Sequence, residues 1–134
     1  MNNFEIPTNL EETYKVIDDL EITGKSEWLS KNEEDSISIS HMGLGIWIRN
    51  NFKLWEDKNE LKNWFIDNYF IDHPDDISCI ILLYYHQKKN NHKIELQKTL
   101  NIFHKHWERW DPKYNKKIRK FKLRKINKSY GERL

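Results

Sequence analysis

The sequence predicts an all-α protein: a single compact bundle of five or six short helices over residues 1–111, with a basic C-terminal extension over residues 112–134. Apolar residues recur at steps of three and four along most of the first part, the spacing of helices that bury one face. Capping residues mark the helix starts, and at His73 and Pro74 a proline takes the first helical position. No Ser-, Gly- or Pro-rich linker and no fixed-period repeat divides the chain further. A chain of 134 residues is one ordinary domain, able to bury roughly two thirds of its unfolded surface. Six each of Trp, Tyr and Phe supply much of the core, since each ring can bury on the order of 150–250 Å².

The first helix opens at Pro7 and Thr8, where Thr8 and Glu11 have the spacing of a capping box, and Leu10, Tyr14, Ile17 and Leu20 share one face. Gly24 breaks the chain, and a short second helix starts with Ser26 as its cap and turns Trp28 and Leu29 inward. The polar run from Ser30 to Ser36 ends it. Ile37 and Ile39 alternate with serines as in a strand, but His41, Leu44, Ile48, Phe52 and Trp55 continue at helical steps, so the spacing predicts a helix from Ser38 to Asn51. Gly43 and Gly45 each cost about 1 kcal/mol against alanine inside a helix, which points to another element, or a ligand, packed closely on the backbone there, or else to a helix that starts only after Gly45.

Asn59 caps a further helix that buries Leu61, Trp64 and Phe65 and ends near Tyr69. His73, Pro74, Asp75 and Asp76 then open a helix to Lys88, with both carboxylates where the helix dipole favours them. Ile77, Ile80, Ile81, Leu82, Leu83 and Tyr84 make it apolar nearly all round, which places it at the centre. Leu96, Leu100, Phe103, Trp107 and Trp110 predict an amphipathic helix ending at Asp111 and Pro112. In the tail, Tyr114, Ile118 and Phe121 suit a helix while Phe121 and Leu123 suit a strand, and the two remain open.

The stretches HMGLGIWIRNNFKLW, from His41 to Trp55, and HPDDISCIILLYY, from His73 to Tyr85, hold most of the large apolar residues and the most unusual polar ones. They resemble the two signatures of an uncharacterised bacterial domain family of unknown function, HxGLGxWIRNNxxLW and HPDDMSxIIL. The likeness runs from about Ile6 to Trp110, and departs in Phe52, in Ile77 and in the basic extension. The resemblance implies a shared small helical fold and brings no activity with it.

From the signatures, His41, Arg49, Asn50, Asn51, His73, Asp75 and Asp76 are the candidate binding residues. If their two helices pack side by side, they converge on one cleft. Each also has a structural role available: His73 as N-cap, the aspartates as dipole partners, Arg49 as the ion-pair partner of either carboxylate. Those structural roles are preferred to catalysis, and no catalytic residue is assigned. Neither a metal nor a cofactor is expected: His104 and His106 point to different faces of a helix, His86 and His92 span a turn, and the acidic HPDD cluster lacks further ligands.

The lone cysteine, Cys79, sits in the most apolar run, where it acts as a small hydrophobe and not as a nucleophile. With no disulfide possible, no basic-then-apolar leader and no apolar run long enough to span a bilayer, the expectation is a cytoplasmic protein that does not engage a membrane.

Net charge is +2 but unevenly distributed: residues 1–111 carry 13 Lys and Arg against 20 Asp and Glu, residues 112–134 carry 10 against 1. An acidic, ring-rich body without a catalytic constellation predicts a non-enzymatic protein-interaction module, immunity-protein-like or an adaptor, whose partner is a protein of unknown identity. The first alternative is nucleic-acid binding through the tail, on Lys116, Lys117, Arg119, Lys120, Lys122, Arg124 and Lys125. The second is a small hydrolase or nuclease using the His/Arg/Asp cleft.

Overall fold

The computed structural model describes residues 4–40 and 43–132, with side chains through Lys128. They are all-helical: α1 (Leu10–Asp19), α2 (Lys25–Ser30), α3 (Glu33–Ser40), α4 (Leu44–Asn51), α5 (Glu60–Tyr69), α6 (Pro74–Lys89), α7 (Gln97–Trp110) and α8 (Tyr114–Glu132). Eight helices replace the expected five or six because the helix foreseen over Ser38–Asn51 is two, and because the tail adds one. Among the described residues no helix is long and apolar enough to cross a membrane. The chain forms two compact units, Met1–Leu100 and Asn101–Leu134.

In the first unit α6 lies against α1, α3, α4 and α5. Its Ile77, Ile80, Ile81, Leu82, Leu83 and Tyr85 are buried together with Ile17, Ile48, Phe52, Leu54, Leu61 and Phe65. Each such side chain stabilises the fold by roughly 1.5–3 kcal/mol, so α6 is the post on which the unit is assembled. Tyr84 departs from the expected apolar surround, since its hydroxyl donates to Glu11 at 2.6 Å. Lys88 joins the same carboxylate at 2.6 Å, and Asp18 accepts from Tyr85 at 2.9 Å and pairs with Lys89 at 2.8 Å. A polar seam thus ties α1 to α6.

Glu11 is free for that seam because the cap lies one residue later than Thr8. Asn9 accepts the backbone N–H of Glu12 at 2.9 Å, and Glu12 reaches back to the Thr8 N–H at 3.2 Å. The α2 cap is likewise Gly24 rather than Ser26, in the left-handed region at φ 84°. Lys25 then donates to the carbonyls of Ile17 at 2.9 Å and Leu20 at 2.6 Å, closing the end of α1.

The polar run ends α2 at Ser30, as expected, and also starts the next helix. Asn32 accepts from the N–H of Asp35 at 2.9 Å, and α3 then turns Ser36 and Ser40 inward while Ile39 stays 50% exposed. The small serines let α3 lie close to α6, and Ser36 and Trp28 exchange hydrogen bonds, Nε1 to the Ser36 carbonyl at 2.8 Å and Oγ to the Trp28 carbonyl at 2.7 Å. Gly43, at φ 58°, turns the chain into α4.

Candidate functional site

Close approach is visible at Gly45, the second residue of α4. A methyl built there would overlap the Ser40 carbonyl oxygen and stand 2.9 Å from Nη1 of Arg49. Bare backbone at this point lets the end of α3 seat against α4 and leaves room for the Arg49 side chain to run inward. Arg49 is 6% exposed. Its Nη1 donates to Ser78 Oγ at 3.0 Å and its Nε stands 3.4 Å from Asp75 Oδ1. Ser78 in turn donates to the Asp75 carbonyl at 3.0 Å. Arg49 therefore locks α4 to the first turn of α6.

His73 caps α6, its Nδ1 accepting the Asp75 N–H at 3.1 Å. The same nitrogen lies 3.9 Å from Asp75 Oδ2, but an acceptor of a backbone N–H holds no proton there for an ion pair. Asp76 is half-buried. With desolvation as the larger cause, its charge helps push the Cys79 thiol up to about 11. Cys79 is half-buried rather than fully enclosed, and its thiol stays protonated at neutral pH. Asn51 donates back to the Trp47 carbonyl at 2.8 Å, and Asn50 is exposed. His41 lies outside the described residues. The structure thus gathers Arg49, Asp75 and His73, adds Ser78 to them, and leaves Asn50 and Asn51 on other faces of α4.

In the first unit, sequence reasoning misplaced Trp55. Helical steps from Leu44 put it on the buried face, but α4 ends at Asn51 and the chain turns through Lys53 at φ 55°. Asn59 pins that turn, donating to the carbonyls of Phe52 at 2.8 Å and Lys53 at 3.0 Å while capping α5 at Lys62 N. Phe52 and Leu54 go inward and Trp55 outward, 56% exposed. A second turn, Phe70 at φ 56°, brings Ile71 into the core and His73 to the surface. The two turns meet where the Trp55 and His73 rings pack edge to face with centroids 5.9 Å apart. Exposed Glu56, Asp57 and Asp72 and half-buried Asp75 and Asp76 adjoin those two rings in sequence. An exposed indole beside an imidazole among carboxylates is what this part of the fold presents.

A separate open cleft of about 360 Å³ is lined by Glu21, Ile22, Thr23, Gly43, Leu44 and Trp47. None of the polar candidates among the described residues lines it. No group of three His, Cys, Asp or Glu among the described residues is placed to hold a metal ion. The tail candidates Lys116, Lys117, Arg119, Lys120, Lys122, Arg124 and Lys125 all lie exposed on α8.

An all-helical unit built on a post helix, with a buried arginine locking α4 to that post, is the architecture these residues define. The chain belongs to the family described as a domain of unknown function (DUF6794), whose model matches residues 6–89. The match ends with α6, so α7 and α8 lie beyond it. No curated protein and no solved structure matches the chain.

Proposed function

We propose that the first unit is a protein-interaction module, adaptor-like or immunity-protein-like, which binds a basic protein partner through the surface around Trp55 and His73. The observation that carries it is the exposure of Trp55, 56% open to solvent although the core of the same unit is built of rings and aliphatics. A large indole held on a pinned turn loses little conformational freedom on binding, and tryptophans of this kind dominate interface energetics, with truncation costing about 2 kcal/mol or more. The neighbouring carboxylates of Glu56, Asp57 and Asp72 are exposed and select a cationic partner. A hydrolase or nuclease would require Arg49 to reach a substrate, and its guanidinium is buried on Asp75 and Ser78.

The test is affinity capture from host lysate with the full chain, comparing wild type with Trp55→Ala and with Glu56→Gln/Asp57→Gln/Asp72→Asn. The proposal expects one nuclease-resistant protein band that falls at least about 30-fold in affinity with Trp55→Ala. With the charge variant, the same band should lose its dependence on salt. Capture that both variants leave unchanged would overturn it.

A further inference from the structure

The second unit carries 12 Lys and Arg against 3 Asp and Glu, a net of +9; on its helix α8, Lys125 lies over the Phe121 ring, 5.6 Å from the centroid, and most of the other cations lie away from that ring. Tyr114 and Ile118 are buried and Phe121 is half-buried; at about 100° per residue the three share one flank. The Tyr114 ring lies 6.3 Å from that of His104. On the opposite arc stand Lys122, Arg119, Lys116, Lys120 and Arg124, all exposed. Leu123 and Ile126 sit among them, 53% and 62% exposed. Lys117 is already paired with Asp111 at 3.1 Å.

We propose that this outer arc of α8 binds duplex DNA, lying in the major groove with cations on both sides of a narrow apolar ridge. The groove, about 12 Å wide, admits a helix, and α8 with its 19 residues is about 28 Å long. On the wheel Leu123 stands at the centre of the arc and Arg119 about 40° to one side, between it and Ile126, where a guanidinium reads guanine edges and aliphatics meet thymine methyls. Lys122 lies to one side and Lys116, Lys120 and Arg124 to the other, positioned for the two phosphate walls. A lipid surface calls for an apolar stripe about 100° wide. The broad apolar flank of α8 is instead the buried one, and the outer ridge is only two aliphatics. The deep, narrow major groove of an RNA duplex does not admit side chains, so DNA is the duplex this shape fits.

Fluorescence polarisation of the full chain tests this, with a short labelled DNA duplex, an RNA duplex of the same sequence, and anionic phosphatidylglycerol vesicles as ligands. About four phosphate contacts give a slope of log K on log salt near −3.6, so affinity for DNA falls about 150-fold between 50 and 200 mM salt. Lys116→Gln/Lys120→Gln/Arg124→Gln, all at exposed positions, flattens that slope by about 3 with helix content unchanged by circular dichroism. Lys15→Gln/Lys58→Gln/Lys98→Gln removes as many exposed charges from the first unit and flattens it by less than about 1. Equal flattening by the two triples would overturn the proposal, as would an RNA duplex bound as tightly as DNA, or vesicles bound with DNA ignored.

Discussion

Glycine to alanine inside a helix normally stabilises by up to about 1 kcal/mol, and at Gly45 the sign should reverse. The added methyl would overlap the carbonyl oxygen of Ser40, and that oxygen has little freedom, because Ser40 is 3% exposed and ends a helix packed on α6. Backbone cannot swing aside as a lysine tip can, so α3 or α4 must shift as a body. The Arg49 guanidinium, 2.9 Å from the new methyl, must move with it. Overpacking costs about 1–3 kcal/mol, and an overlap with backbone belongs in the upper part of that range, about 2–3; less a propensity gain of up to about 1 kcal/mol, Gly45→Ala should destabilise by about 1–2 kcal/mol. Urea unfolding followed by tryptophan fluorescence would read this as a midpoint lowered by roughly 0.5–1 M at an unchanged slope. Gly24→Ala separates crowding from backbone strain: its site is open, but φ is 84°, so it should cost only the roughly 1 kcal/mol of a left-handed residue. A Gly45→Ala midpoint at or above wild type would refute the close approach of α3 and α4.

Three further expectations follow from the same contacts. Arg49→Met should cost about 2 kcal/mol and Asp75→Asn, whose own carboxylate is 37% exposed, about 0.5 kcal/mol; a double-mutant cycle should give a coupling near 1 kcal/mol, and additivity would sink the lock between α4 and α6. The Lys88 hydrogen bond, with Tyr84, holds Glu11 below its usual 4.5, and that of Lys89, with Tyr85, holds Asp18 below its usual 3.8. Carboxyls lowered on folding stabilise above their unfolded values and lose that contribution as pH falls through the folded ones. Stability measured from pH 5 to 3 should therefore drop less steeply in Glu11→Gln/Asp18→Asn than in wild type, and equal slopes would count against the seam. Cys79, with its thiol pushed up to about 11, should label slowly with iodoacetamide at pH 7.5 and about tenfold faster for each pH unit up to that value; a plateau below pH 9 would show a more ionised thiol.

Legibility in the sequence followed how local each cause was. The start of α6 was readable because proline at the first position and two aspartates in the first turn act within a few residues, and its central place because an all-round apolar helix has nowhere else to go. The division between α3 and α4 was hidden because His41, Leu44, Ile48 and Phe52 continue at helical steps without a break; the inward residues of α3 are Ser36 and Ser40, whose merit is smallness and appears only once α6 is beside them. Asn32, three residues before Asp35, was a start signal masked by the surrounding charge. Trp55 and Trp110 were read inward on period alone. Trp110 is 69% exposed, at the end of α7 where the chain turns at Asp111, because periodicity cannot say where a helix stops. Arg49 was recognisable as an ion-pair partner, but Ser78 as its acceptor needed the tertiary pairing.

A net charge of +2 would argue against two binding surfaces of opposite sign, if net charge were what a partner felt. At about 0.15 M salt the Debye length is about 8 Å, so an approaching group responds to the charges around its own point of contact. The first unit carries 11 Lys and Arg against 18 Asp and Glu, a net of −7, and the second a net of +9; each sign is expressed locally. The two surfaces differ in what remains when salt removes the attraction. Around Trp55 the ring still has an indole's worth of apolar area to bury, whereas the arc of α8 holds phosphates chiefly by releasing counterions. Salt that strips α8 of its partner should therefore leave the Trp55 partner bound, with only its rate of encounter slowed.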